Sequence, residues 1–194
     1  MTSSEKVGTK STVAGREVGE DSFMPITPDT KNWTWVIERP CPECGFDAST
    51  FAATDVAAMV RANVEHWPAV LRRADVRQRP DDSTWSPLEY SAHVRDVFRL
   101  YDYRLGLMLT EDDPLYPNWD QDETAVAEKY NEQDPEVVAS ELAAAGASLA
   151  DALDGVTDWS RPGRRSDGVS FTVETFAKYF IHDPVHHLWD VRLR

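Results

Sequence analysis

Two shortages frame this sequence. Cysteine occurs only twice in 194 residues, at Cys41 and Cys44, too few for a fold framed by disulfides. No apolar run reaches the length of about 18 residues that a membrane-spanning helix needs. The opening stretch, MTSSEKVGTKSTVAGREVGEDS, is polar and lacks the apolar centre of a secretory leader, so a cytoplasmic location is expected. Basic residues are also short: 20 Lys and Arg stand against 34 Asp and Glu, a formal net charge of −14. A surface of that sign repels a polyanion, so no nucleic-acid partner is expected, and no membrane partner either. Internal repeats and low-complexity tracts are absent.

What is present suffices for one core. Hydrophobic residues make up 41% of the chain and aromatic residues 10%, in a length that suits one domain and would cramp two. Residues 1–28 are polar and aperiodic and are expected to form a disordered tail, with 29–194 as a single helical bundle domain. NWTWVIERPCPECGFDAST reads as an ordered, extended segment lying across that domain. Four helical patterns follow. The first runs from about Asp55 to Arg73, with Thr54 as N-cap, Val56, Val60, Asn63, Trp67 and Leu71 on one face, and a kink expected at Pro68. The second opens with Ser86, Pro87, Leu88 and Glu89, which combine an N-cap, a proline in the first turn and a capping-box glutamate; its stripe continues through Tyr90, His93, Val97, Leu100 and Leu107. The third starts at Asp134-Pro135 and stops at Gly155, and the fourth runs from near Thr172 almost to the end. The connection EDDPLYPNWDQDETAVAEKYNEQ is long enough to suggest function, with a short helix expected around Glu123 to Tyr130. TDWSRPGRRSDGVSF reads as a turn or small hairpin. The predicted fold class is all-α: a four-helix bundle with a long crossover between helices two and three and an extended N-terminal segment.

Three of the five histidines fall in FIHDPVHHLWDV: His182, His186 and His187. Residues i and i+4 share a helix face, so His182 and His186 can reach one ion. His93 lies on the apolar stripe of helix two and points inward, with Asp96 at i+3 as a candidate to orient it. Three neutral imidazoles from two helices leave coordination positions for water or substrate, the arrangement of a catalytic metal. Spacing alone leaves competitors, because Asp183–His187 and His186–Asp190 are also i, i+4 pairs and Pro184 blurs the faces with an expected kink. A lone inward histidine is more often a core residue than a ligand.

Cys41 and Cys44, in PCPECGF, resemble one knuckle of a zinc ribbon with no second knuckle in the chain. They read as a packed turn, as a redox pair, or as half of a second metal site completed by His66 or across a dimer. Asn118, Trp119, Asp120 and Gln121 are candidates for the mouth of a site, with Asp120 as a proton acceptor or simply a helix cap. Arg164 and Arg165 are candidates to meet an anionic substrate group, or form a solvated turn. Tyr179 and Trp189 flank the histidines and are equally explained by packing.

Taken together these segments resemble a known family. WSPLEYSAHVRDV with its single histidine, and HDPVHHLWD with its H-x-x-x-H, are similar to the DinB/YfiT-like metalloenzymes, in an actinobacterial branch. The likeness spans roughly residues 31 to 193 and includes WTWVIERPCPECGFDA, NWDQDETAV and GRRSDGVSFTVETFAKYFIHDPVHHLWDV. The resemblance implies a DinB/YfiT-type bundle and one divalent metal per chain, zinc or nickel, held by His93, His182 and His186, with His187 as a neighbour. It relates the chain to bacillithiol and mycothiol S-transferases and to mycothiol-dependent maleylpyruvate isomerases. The expected function is therefore metal-dependent transfer of a mycothiol-like co-substrate to a small electrophile, with Asp120 and Asp96 as catalytic groups and Asn118, Trp119, Arg165 and Tyr179 contacting substrate. Alternatives are a metal-dependent hydrolase or isomerase, or a non-catalytic metal-binding bundle of the stress response. A homodimer paired through helix faces is a candidate assembly. The CPEC segment maps onto nothing in the better-understood family members.

Overall fold

Capping chemistry sets the starts of the long helices. The structure, a computed structural model, describes Ile26 and residues 33–192; the expected tail, Ile26 apart, lies outside the described residues. In α3 (Pro87–Thr110) the Ser86 hydroxyl accepts from the Glu89 amide at 3.2 Å, and Glu89 accepts from the Ser86 amide at 2.8 Å, so two orphan N–H groups are satisfied reciprocally. Arg79 clamps the same carboxylate with 2.9 Å between Nε and Oε2. In α5 (Pro135–Asp154) Asp134 accepts from Glu136, and Gly155 ends the helix. The first expected helix divides into α1 (Val56–Val64) and α2 (Trp67–Leu71). Pro68 has no N–H for the ladder and its ring crowds the carbonyl four residues back, so the break falls just before it. Thr54 does not cap α1: a 3₁₀ turn, Ala53–Asp55, precedes it, and the Asp55 carboxylate accepts from Ala52.

The bundle consists of α1–α2, α3, α5 and α6 (Val173–Arg192), with α4 (Gln121–Ala127) in the crossover between α3 and α5. Helix α6 runs through Pro184 unbroken. At that level Asn63 of α1 donates to the Pro184 carbonyl at 2.7 Å and accepts from Trp67 Nε1 at 2.8 Å, a polar clasp on an otherwise apolar face. The main core gathers Val56, Val60, Trp67, Phe98, Leu105, Leu142, Leu149, Phe176 and Phe180; a smaller one, around Leu88, Trp85, Tyr130 and Val138, closes the end beneath the crossover. No helix among the described residues is long and apolar enough to cross a membrane.

The hairpin expected near residue 165 is present, and it carries a third strand that the sequence reading did not anticipate. β2 (Pro162–Arg165) pairs antiparallel with β3 (Ser170–Thr172), Gly163 opposite Phe171, and parallel with β1 (Leu115–Tyr116), which pairs Tyr116 with Arg165. Gly163 is required because a Cβ there would lie 2.6 Å from Met108 Cγ of α3. The three strands pin the crossover onto the bundle, helped by Asn118 donating to Ser166 at 2.8 Å and Arg104 donating to the Pro117 carbonyl at 2.7 Å. The N-terminal segment is not extended: Thr34–Ile37 forms a 3₁₀ turn, and tight turns follow through residue 50.

Candidate metal centres

Helix α6 presents His182 and His186 on one line and Asp183 and His187 on the next, about 100° further round. The two lines face different neighbours. Among the described residues, two groups bring their ligand atoms within 4.8 Å of one another: His93 with Asp183 and His187, and Cys41 and Cys44 with His182 and His186. The expected set of His93, His182 and His186 is thus divided. Its inward histidine on α3 meets the second line of α6, and the H-x-x-x-H pair meets the cysteines.

The first cluster is compact. His93 is fully buried, with Nε2 3.2 and 3.4 Å from the two oxygens of Asp183. His187 Nε2 lies 3.6 Å from Asp183 Oδ1. Two donors bonded at 2.0–2.2 Å to one ion lie about 3.0–3.5 Å apart at angles of 90–110°, so these three residues fit one face of a coordination shell. His187 Nδ1 is 2.9 Å from Asp190 Oδ2; a proton on that nitrogen leaves the Nε2 lone pair directed at the cluster, the carboxylate–histidine arrangement that orients a ligand. Burial works against the charge of Asp183, but His93, the hydrogen bond with it, and His187 outweigh burial and hold this carboxyl below the usual carboxylate range. Trp119 stacks on His93 at 5.4 Å with planes 10° apart, and Trp85 flanks the same ring.

The second cluster joins the N-terminal segment to α6. Cys41 Sγ is 3.7 Å from His186 Nδ1. Burial, and then the adjacent His186, push the His182 imidazole down to about 4, and burial lowers His186 as well. Burial pushes the Cys44 thiol up to about 12 against the Phe46 amide, which hydrogen-bonds to it and favours the thiolate. Both cysteines are free. His66, considered above as a partner for them, is exposed within the α1–α2 break, just before α2, and belongs to neither cluster.

A cavity of about 690 Å³ opens beside the first cluster, lined by Asp183 and His187 together with Tyr90, Tyr101, Trp119 and Arg104. Asn118, Asp120, Gln121, Arg165, Tyr179, His182 and His186 line it as well. Two of these residues have clear structural duties. Asp120 caps α4 by accepting from Glu123 at 2.8 Å. Arg165 pairs with Asp167 at 2.8 Å and donates to Tyr179 at 3.2 Å. Asp96 does not orient His93. Its carboxylate accepts from Arg95 and from the Tyr130 hydroxyl at 2.7 Å, on the side turned to α5. The sequence reading passed over Arg104. It is 3% exposed, its Nε has no hydrogen-bond partner, and its guanidinium lies over the Tyr101 and Tyr116 rings. Its signal was positional: eleven residues after His93, three turns along the same stripe. Asp190, three residues after His187, was legible only as a rival ligand.

The sequence pattern of the DinB superfamily matches residues 57–191, which takes in His93, nearly all of α6 and most of the cavity lining but leaves out the cysteines. Among solved structures, YfiT from Bacillus subtilis, described as a probable metal-dependent hydrolase with an unusual four-helix bundle topology, superposes with a TM-score of 0.62. It is 19% identical and covers 73% of this chain and 85% of its own; at that identity the likeness shows the fold. No curated protein sequence matches. The match spans more than half of the chain, and this chain belongs to the DinB superfamily.

Proposed function

We propose that the protein is a divalent-metal-dependent enzyme that transfers a low-molecular-weight thiol to a small electrophile, with His93, Asp183 and His187 as the metal ligands. The observation that carries this reading is the three-residue cluster opening onto the cavity of about 690 Å³, because three protein ligands leave a position for a reactant. A divalent ion held there would supply Lewis acidity, which would let a thiol release its proton to solvent at neutral pH. The thiolate sulfur forms a bond to the electrophilic carbon, and the leaving group departs with its electron pair.

The protein's own groups position the reactants. Asp190 holds the His187 tautomer, and Trp119 and Trp85 fix the His93 ring. Arg104, whose Nε has no hydrogen-bond partner, offers that donor to an anionic group of a substrate. Of the carboxylates lining the cavity, Asp120, Asp167, Asp183 and Asp190 are engaged by a helix end, by Arg165 or by imidazoles, and Glu43 and Asp122 line it as well. The second reading is hydrolysis at the same cluster, favoured by the description of YfiT, with water in place of the thiol. Metal-loaded full-length protein incubated with mycothiol and monochlorobimane decides: bimane conjugation faster than in a chelated control is expected. No acceleration, with p-nitrophenyl ester cleavage instead, would replace thiol transfer by hydrolysis.

A further inference from the structure

We propose that Cys41, Cys44, His182 and His186 form a second metal site, a closed tetrahedral one of the kind zinc occupies, which staples the N-terminal segment to α6. The four ligand atoms already lie within 4.8 Å of one another. A sulfur bonded at 2.3 Å and a nitrogen at about 2.05 Å to one tetrahedral ion are separated by about 3.5 Å; Cys41 Sγ and His186 Nδ1 are 3.7 Å apart.

The local backbone explains why both sulfurs converge. Cys41 N–H donates to the Phe46 carbonyl at 2.8 Å and Gly45 N–H to the Cys41 carbonyl at 3.0 Å, while Gly45 takes a φ of +75° that few other residues accept. This turn brings two cysteines three residues apart onto one side. On α6 the i, i+4 spacing does the same for the two imidazoles. His182 Nε2 is buried with no hydrogen-bond partner, which is costly unless something not yet counted satisfies it. His186 directs Nδ1 at the sulfur and Nε2 towards Glu43 Oε2 at 3.5 Å, so the glutamate inside the C-P-E-C turn serves as the outer carboxylate of a histidine ligand. Trp33 packs against both rings at 5.2 Å and Phe46 against His182 at 5.2 Å. Four protein donors fill a tetrahedral shell, so no position is left for a reactant. The site's role is positional: it fixes the rotation of α6, and with it Asp183 and His187 one residue round.

The test uses cobalt(II) on full-length, untagged protein, with metal content measured in parallel. Two ions per chain are expected, with an intense thiolate-to-cobalt charge-transfer band. Cys41→Ser should remove one ion and most of that band. His93→Ala should remove the other ion and leave the band intact. If Cys41→Ser does not fold, Cys44→His keeps four ligands and should retain two ions with the band about halved. Stoichiometric cobalt without a charge-transfer band, a Cys41–Cys44 disulfide in freshly purified protein, or a band unchanged by His182→Ala would each overturn the proposal.

Discussion

The pair His182 and His186 meets two sulfurs; the pair Asp183 and His187, one residue on, meets a single imidazole. The cysteine cluster ties α6 to a turn outside the matched family stretch, and the cluster of His93, Asp183 and His187 ties it to α3 within that stretch. Four protein donors fill a tetrahedral shell, whereas three leave a position for a reactant. One helix thereby presents two donor sets of opposite character because neighbouring residues point about 100° apart. The sharpest way to break this contrast is at Asp183. Asp183→Asn removes the only carboxylate of the open cluster; metal affinity there should fall by more than about a hundredfold, and turnover with it. The cysteine cluster should keep its ion, read as an unchanged cobalt–thiolate band. Loss of both ions together would mean that the two clusters behave as one.

Much of this arrangement was legible beforehand, and the part that was not has a geometric reason. SPLE, Asp134-Pro135 and Gly155 marked helix ends because capping is chemistry between near neighbours. His93 read as inward from its stripe, and it is fully buried. The ligand sets were not legible, because a helix carrying His182, Asp183, His186 and His187 offers two overlapping i, i+4 pairs. Which pair faces α3 depends on how α6 is rotated in the bundle. That rotation is set by distant contacts, such as Asn63 on the Pro184 carbonyl and Trp33 on the histidine rings, and no local spacing encodes them. Asp96 misled for the related reason that i+3 proximity does not reveal Tyr130 and Arg95 waiting on its other side. The parallel pairing of β1 with β2 joins segments some fifty residues apart and left only two residues of strand as its trace.

Asp190 sharpens the comparison because it touches both sides unequally: Oδ2 is 2.9 Å from His187 Nδ1 and 4.0 Å from His186 Nε2. Asp190→Ala should weaken metal binding at the open cluster about 10- to 100-fold, the usual cost of losing an outer-shell carboxylate, and weaken the cysteine cluster much less. Competition titrations with a chelator of known affinity measure both, and equal losses would show that the carboxylate supports the helix rather than one ligand.

Arg104 separates the clusters by what they serve, since it lines the cavity and touches neither set of ligands. Arg104→Met should leave both ions in place. It should raise KM for an anionic electrophile such as iodoacetate about 10-fold or more, as expected for a lost charge-assisted hydrogen bond. KM for uncharged iodoacetamide should stay nearly constant. Parallel increases for both would place Arg104 among the residues that shape the cavity rather than those that read charge.

The smallest effect is expected at Glu43. Like Asp190 it stands behind a histidine, but at 3.5 Å from His186 Nε2 and with its side chain 42% exposed, against 14% for Asp190. Water screens the contact and can replace it. Glu43→Gln should therefore lower affinity at the cysteine cluster only a few-fold, leave the cobalt–thiolate band in place, and change nothing at the open cluster. The ratio of the two losses, Asp190→Ala at one site and Glu43→Gln at the other, measures how far burial rather than charge makes an outer carboxylate matter. A Glu43 effect as large as that of Asp190 would show that the turn closes over His186 in solution more tightly than its exposure suggests.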